Sequence, residues 1–307
     1  MDIKGKTALV TGASRGIGKA ISIELAKQGI KHLILVARNR QKLAEVATEI
    51  EKIGVKVTTL SLDLTQLSSI NIAIAQAWTI HRPIHLLINC AGVAHQSAFL
   101  DAQAHKIDEE ISLNLVGMMN ITRLLAKRMA SQKEGTIVNV SSLMGKVAAP
   151  TMSTYSATKF AIVGFTQALR SELAEHNIKV IALLPTLTDT EMTRNLKLFR
   201  WVMPMTPERV AQKLVSGLRK NRGEILVGWQ SYSAVLCQRI FPQLLQKIME
   251  LSAPKVSSIS LTQQNRVIAN IMKFKIRMNW LYIRMNWLYL QFLCYGGEFA
   301  RLSYVGI

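Results

Sequence analysis

The sequence predicts an α/β fold: a single doubly wound parallel sheet of about seven strands with helices on both faces. Three observations carry that expectation. Short apolar runs alternate with amphipathic stretches through the first 230 residues, and strand then helix, repeated, gives a parallel sheet covered on both sides. A glycine-rich turn follows the first apolar run and opens the first amphipathic stretch. Gly12, Gly92, Ser142 and Pro185 each fall just past a predicted strand, on the sheet edge where such folds bind ligands.

Taken in order, the strands are expected at Thr7–Val10, Leu33–Ala37, Lys56–Leu60, Leu86–Ile88, Thr136–Val140, Lys179–Leu184 and Glu224–Val227. Between them the apolar spacing switches to helical at Ile17–Gln28, Gln41–Lys52, Leu67–Ile80, Lys106–Ser131, Thr154–Glu175 and Pro207–Leu218. Residues 1–230 are therefore expected to form one α/β domain, and 231–307 a C-terminal extension. The extension reads as an amphipathic helix over 231–251 interrupted by Pro242, a polar linker over 254–265, and a basic apolar tail. In the tail, Ile276–Tyr282 is repeated without change as Ile283–Tyr289; a repeat this short builds no solenoid, and no function is read from it.

The chain of 307 residues is 49% hydrophobic and 19% charged, with net charge +19. That composition supports a large core and argues against global disorder. The first 250 residues alone hold 31 Lys/Arg against 18 Asp/Glu, so the charge is not a tail property. It suits anionic cofactors, acidic partners or anionic lipid. No nucleic-acid module is visible. Cys90, Cys237 and Cys294 are widely separated, and His81, His85, His95 and His105 have no metal spacing, so neither a disulfide framework nor a metal site is expected. The N-terminus runs straight into a strand, and no uncharged run is long enough to span a membrane. A cytoplasmic protein is expected. Peripheral membrane contact through the tail is an open alternative, since Lys273, Arg277 and Arg284 stand among Trp280 and Trp287.

Two stretches carry chemistry. Thr11-Gly12-Ala13-Ser14-Arg15-Gly16-Ile17-Gly18 has glycines that let backbone approach a pyrophosphate, ahead of a helix N-terminus with free N–H groups. Tyr155 and Lys159, four apart on a predicted helix, share one face. An ammonium beside a phenol favours the phenolate, so the Tyr155 pKa is expected to fall toward working pH, as suits proton transfer at a carbonyl.

These motifs, in this order and spacing over about residues 4–228, resemble those of the short-chain dehydrogenase/reductase family, of the type with chains near 250 residues. The resemblance implies a Rossmann-type domain binding a nicotinamide dinucleotide. It implies catalytic roles for Asn114, Ser142, Tyr155 and Lys159, with Ser142 preferred to Ser141 by the interval to Tyr155. It places Gly12, Ser14, Arg15, Gly16, Ile17, Gly18, Asn89, Ala91, Gly92, Tyr155, Lys159, Pro185, Thr188 and Thr190 around the cofactor. Asp63 stands beside the adenine by resemblance, with capping of the next helix as the alternative. Arg38 follows the second strand where an acid would hold NAD ribose hydroxyls; with Arg15 it favours NADP(H) over NAD(H). Two residues depart from the family pattern. Cys90 replaces an asparagine, and Thr186 replaces a glycine, with strain expected if that position needs positive φ.

The expected activity is hydride transfer between NADP(H) and an apolar or lipid-like ketone or secondary alcohol. The alternatives are a 3-oxoacyl-thioester reductase acting on a carrier protein and a non-catalytic NADPH-binding regulator. Met192, Leu196, Leu198, Phe199, Trp201, Val202 and Met203 read equally as a substrate lid or as helix core. The family implies a homo-dimer or homo-tetramer.

Overall fold

The structure is a computed structural model and describes residues 1–254 other than Asn221; the predicted tail helix and its repeat lie outside the described residues. Seven strands run Thr7–Thr11 (β1), His32–Ala37 (β2), Lys56–Ser61 (β3), Leu86–Asn89 (β4), Gly135–Val140 (β5), Ile178–Leu184 (β6) and Glu224–Leu226 (β7). They form one sheet in the order β3-β2-β1-β4-β5-β6-β7, with every neighbouring pair parallel. The chain reverses its direction of travel across the sheet between β1 and β4, which opens a crevice at their carboxyl ends.

Among the described residues ten α-helices accompany the sheet: α1 Gly16–Lys27, α2 Arg40–Glu51, α3 Leu67–His81, α4 Ala104–Ile111, α5 Met118–Gln132, α6 Ser153–Glu172, α7 Glu191–Arg194, α8 Pro207–Arg219, α9 Trp229–Ile240 and α10 Pro242–Ser252. Strand residues alternate between two cores. Ala8 and Val10 join α1, α2 and α8 on one face, while Leu9, Ile34 and Leu87 join α3 and α5 on the other. Both strand faces are thus covered, which is why the central strands are apolar throughout.

One expectation needs correction. The helix expected over Lys106–Ser131 is divided by a π-helical stretch, Ser112–Gly117, between α4 and α5. Apolar periodicity does not register one extra residue in a turn, and such bulges gather at functional sites. One compact unit takes in all the described residues. Helices α9 and α10 belong to it, because Leu245 and Ser252 are buried and the Arg200 N–H donates to the Ser252 carbonyl at 2.9 Å.

Candidate active site

The carboxyl edge of the sheet opens into one large cavity of about 720 Å³. Its floor comes from the turns after β1, β4, β5 and β6, all shaped by short-range sequence. Gly12 has φ +66°, and a Cβ there would come within 2.8 Å of the Ala91 Cα, so only glycine lets the turns after β1 and β4 touch. Thr11 fastens the same contact: its hydroxyl accepts from the Cys90 and Ala91 N–H groups at 3.0 and 3.1 Å. Helix α1 begins with no side-chain cap and no acid in its first turn. Ser14, Arg15, Gly16, Ile17 and Gly18 line the cavity at that uncapped end. A cradle that a Cβ would fill, ahead of free N–H groups and positive helix potential, fits a dinucleotide pyrophosphate.

At the other side of the crevice the reaction-centre residues converge. Ser142, Tyr155 and Lys159 all line the cavity, and the Lys159 Nζ stands 5.4 Å from the Tyr155 ring centre. Ser142 hydrogen-bonds the Tyr155 phenol and accepts from the Met144 N–H at 3.1 Å. Ser141 instead donates to the Lys159 carbonyl at 2.8 Å, a packing role. Lys159 donates to the Val140 carbonyl at 3.1 Å. Asn114 sits in the π-helical stretch and is buried. Its amide holds Val93 from both sides, accepting from the N–H at 2.8 Å and donating to the carbonyl at 2.9 Å, and reaches Thr158 Oγ1 at 3.3 Å.

The expected fall of the Tyr155 pKa is not found. Burial drives the phenol up, to about 12; the Ser142 hydrogen bond pulls the other way, and the Glu110 and Cys90 charges add to the rise. Burial also pulls Lys159 down to about 8, against the raising influence of Cys90 and Glu110. The i,i+4 spacing brings the two side chains together, but the cost of charging each group away from water dominates both shifts. Burial likewise raises the Cys90 thiol to about 12, so its thiolate is scarce at neutral pH.

Other predicted residues take different places. Asn89 is buried, and its amide donates to Thr122 Oγ1 and Asn139 Oδ1, both at 2.8 Å; it ties β4 to α5 and β5 rather than facing the cavity. Leu62 and Leu64 line the cavity on either side of Asp63, whose carboxylate turns to accept from the Thr65 N–H and hydroxyl at 2.9 and 2.8 Å. The capping alternative thus describes its contacts, although it caps a turn and not α3, whose N-cap is Gln66. Ala91, Gly92, Pro185, Thr188 and Thr190 line the cavity. Thr190 forms a capping box with Thr193 at the start of α7. Thr186 is not among the positive-φ residues, so the expected strain is absent.

The remaining wall is a lid, residues 191–203, and the helices behind it. Met192, Leu196, Leu198, Phe199, Trp201 and Val202 line the cavity rather than packing as buried core; Met203 is exposed. The lid is fastened at its base by Met205, which donates to the Leu187 carbonyl and accepts from the Asp189 N–H, both at 2.9 Å. Gln230 on α9 donates to the Trp201 carbonyl at 3.1 Å. Trp229, Ala234, Cys237, Leu245, Ile248 and Met249 from α9 and α10 complete the apolar end.

Sequence reading missed those helical residues; the apolar face of 231–251 was the available signal, but nothing in it says what it faces. It also missed Lys42 and Glu191 at the dinucleotide end, and Glu110. The Glu110 carboxylate is 1% exposed, accepts the His95 N–H at 2.6 Å, and is pushed up in pKa by burial. Arg38 lines the cavity with Asn39 and Lys42, its Nη1 4.0 Å from Glu109 Oε1.

Comparison with known proteins agrees with this geometry. A family model described as short chain dehydrogenase matches residues 6–201. A 3-oxoacyl-acyl-carrier-protein reductase of Aquifex aeolicus is 36% identical over 196 residues, 63% of this chain and 79% of that protein. An NADP-dependent 3-hydroxy acid dehydrogenase of Schizosaccharomyces pombe is 33% identical over 235 residues, 73% of this chain and 91% of that protein. Among solved structures, a short chain dehydrogenase from Burkholderia cenocepacia J2315 in complex with NADP superposes with TM-score 0.72 at 28% identity, covering 83% of this chain and all of that one.

Proposed function

The chain belongs to the short chain dehydrogenase family, and from that premise we propose that it is an NADP(H)-dependent oxidoreductase that reduces an apolar or lipid-like ketone, or oxidises the corresponding secondary alcohol. The observation that carries this reading is one cavity lined at one end by the glycine turn with Arg15, Arg38 and Lys42, at its middle by Ser142, Tyr155 and Lys159, and at its far end by apolar lid and helix residues. When bound, the nicotinamide supplies or accepts the hydride.

The chain's own groups handle position and proton. The glycine turn and the α1 N-terminus hold the pyrophosphate, Arg38 and Arg15 hold a 2′-phosphate, and Lys159 is placed to hold the nicotinamide ribose. Ser142 donates a hydrogen bond to the substrate oxygen and fixes it beside the Tyr155 hydroxyl. In reduction Tyr155 gives its proton to that oxygen; a phenol held near 12 is fully protonated at neutral pH and ready as the acid. In oxidation the Tyr155 phenolate oxygen takes the proton back from the substrate hydroxyl, and the Lys159 ammonium offsets the phenolate charge. Asn114, locked onto Val93 beside this group, supports the proton path.

A second reading has a specific observation in its favour. The Aquifex relative is named a 3-oxoacyl-acyl-carrier-protein reductase, and a net charge of +19 suits an acidic carrier. The test is NADPH consumption by the full-length protein across 3-oxoacyl thioesters, steroids, quinones and simple ketones. Turnover of an apolar ketone above that of short polar ones supports the first reading, and turnover confined to acyl thioesters the second. Tight NADPH binding with no turnover of any would establish the non-catalytic regulator instead.

Among the described residues no helix is long and apolar enough to cross a membrane. The exposed Trp229, Leu236 and Leu251 on α9 and α10, with Phe241 between the two helices, support peripheral membrane contact, and we take a cytoplasmic location and the family's homo-dimer or homo-tetramer as the working assembly. Flotation with lipid vesicles and light scattering test these two points.

A further inference from the structure

We propose that Glu191 sets cofactor preference: it is an internal counter-ion to Arg15 and Lys42 that the 2′-phosphate of NADP(H) must displace. The inference rests on the cofactor reading above and goes beyond it to a residue that opposes binding. Glu191 opens α7 on the lid. Its Oε2 stands 3.2 Å from Arg15 Nη1 and 3.6 Å from Lys42 Nζ. The three side chains come from the lid, the glycine turn and α2, and all line the dinucleotide end of the cavity. Arg38, a third cation there, stands 4.0 Å from Glu109 and near enough to Asp63 that, against the effect of burial and together with the Thr65 hydrogen bonds, it lowers that carboxyl's pKa. Asp189, the other lid acid in this stretch, is engaged by Arg194 at 3.4 Å.

One carboxylate shared by two cations cancels one of their two charges. Arg15, Lys42 and Glu191 are all nearly half exposed, and pairs that exposed contribute little to stability; the fold does not depend on the triad. Its consequence falls on anion binding. A 2′-phosphate adds close to two negative charges and needs the cations that Glu191 engages. NAD(H) lacks that group and does not. A carboxylate at this point therefore penalises NADP(H) selectively, while Arg38 and Arg15 favour it. The net preference is the difference between the two.

The experiment is a titration of NADPH and NADH, by nucleotide fluorescence, into full-length wild type, Glu191→Gln and Lys42→Met/Glu191→Gln. Thermal melts confirm that each variant is folded. Glu191→Gln is expected to tighten NADPH about five-fold at low salt and to leave NADH within about two-fold, from one unit of charge acting on a doubly charged group at short range. The gain should vanish near 1 M salt, where screening extends only about 3 Å, and should shrink in the Lys42→Met background. Unchanged or weaker NADPH binding by Glu191→Gln overturns the proposal, as does equal tightening of both cofactors, which would make Glu191 a tether of the lid. Wild type that binds neither nucleotide would overturn the cofactor reading itself, a result distinct from a wild type that binds and a variant that behaves identically.

Discussion

The two ends of the cavity are built on different principles. The dinucleotide end is made of strand-to-helix turns, each a few residues long and each held by backbone. The Gly12 turn rests against Ala91, and Thr11 bonds the turn after β4. The substrate end is made of side chains from a lid and two helices that arrive from far along the chain, and much of it faces solvent: Trp201 is 69% exposed and Trp229 67%. The contrast teaches where each kind of specificity resides. A cofactor common to many reactions is met by backbone geometry that tolerates little change. A particular substrate is met by apolar surface that can be exchanged residue by residue with the fold intact.

If this division is right, the largest effect should come from the group between the two ends. Tyr155→Phe should lower turnover by about 10²- to 10⁴-fold, the range for a lost acid–base group, with NADPH affinity nearly unchanged; steady-state rates and a binding titration check both. A variant with undiminished rate would break the mechanism. Next, Arg38→Asp should weaken NADPH at least ten-fold, the cost of replacing a charge-assisted phosphate contact by repulsion, and leave NADH within about two-fold. Equal loss for both nucleotides would remove the 2′-phosphate from the dinucleotide end. Trp229→Ala and Ile248→Ala should instead change KM from one substrate to another by about 3- to 30-fold, as pocket methylenes do, without moving NADPH affinity. If they shifted cofactor affinity as well, the two ends would not be separable.

Lys159 gives a test of electrostatics by stability. Burial lowers its pKa from 10.5 to about 8, so the folded chain holds this proton less well than the unfolded one. Below about pH 8 the folded state bears a buried charge, and this cost is relieved as pH rises from 8 toward 10.5. Lys159→Met, inactive as it should be, is therefore expected to melt above wild type at pH 7, by up to about 3 kcal/mol, with the gap closing by pH 10. Thermal melts across that range read the sign, and a gap that widens with pH would reverse the assignment. The smallest effect concerns the cysteines. With its thiol held near 12, Cys90 at the dinucleotide end should be alkylated by iodoacetamide at pH 8 at least ten-fold more slowly than Cys237, as peptide mass spectrometry can show.

What was legible in the sequence follows the same divide. Tyr155 and Lys159 could be put on one helix face because an i,i+4 pair is a local fact, while the choice of Ser142 came from the resemblance, through its interval to Tyr155. The glycine turn is likewise a local fact, and seven strands appeared within a residue or so of their expected bounds, the central ones because both of their faces are buried. Asn89 and Asp63 were assigned to the cofactor by the family resemblance. Position, however, does not fix where a side chain turns, and both found partners within the protein. The direction of the Tyr155 shift was misread because a neighbouring charge shows in sequence and burial does not.

By itself, then, the sequence determined the order of strands and helices, the phosphate turn and the identities of the proton-handling groups, since each is set by contacts within a few residues or by a repeating period. Only the tertiary structure decided that α9 and α10 wall the apolar end of the cavity, that Glu191 meets Arg15 and Lys42, and in which direction burial moves Tyr155 and Lys159. Those outcomes depend on desolvation and on distances between segments more than a hundred residues apart, such as the 176 that separate Arg15 from Glu191. No local pattern encodes them.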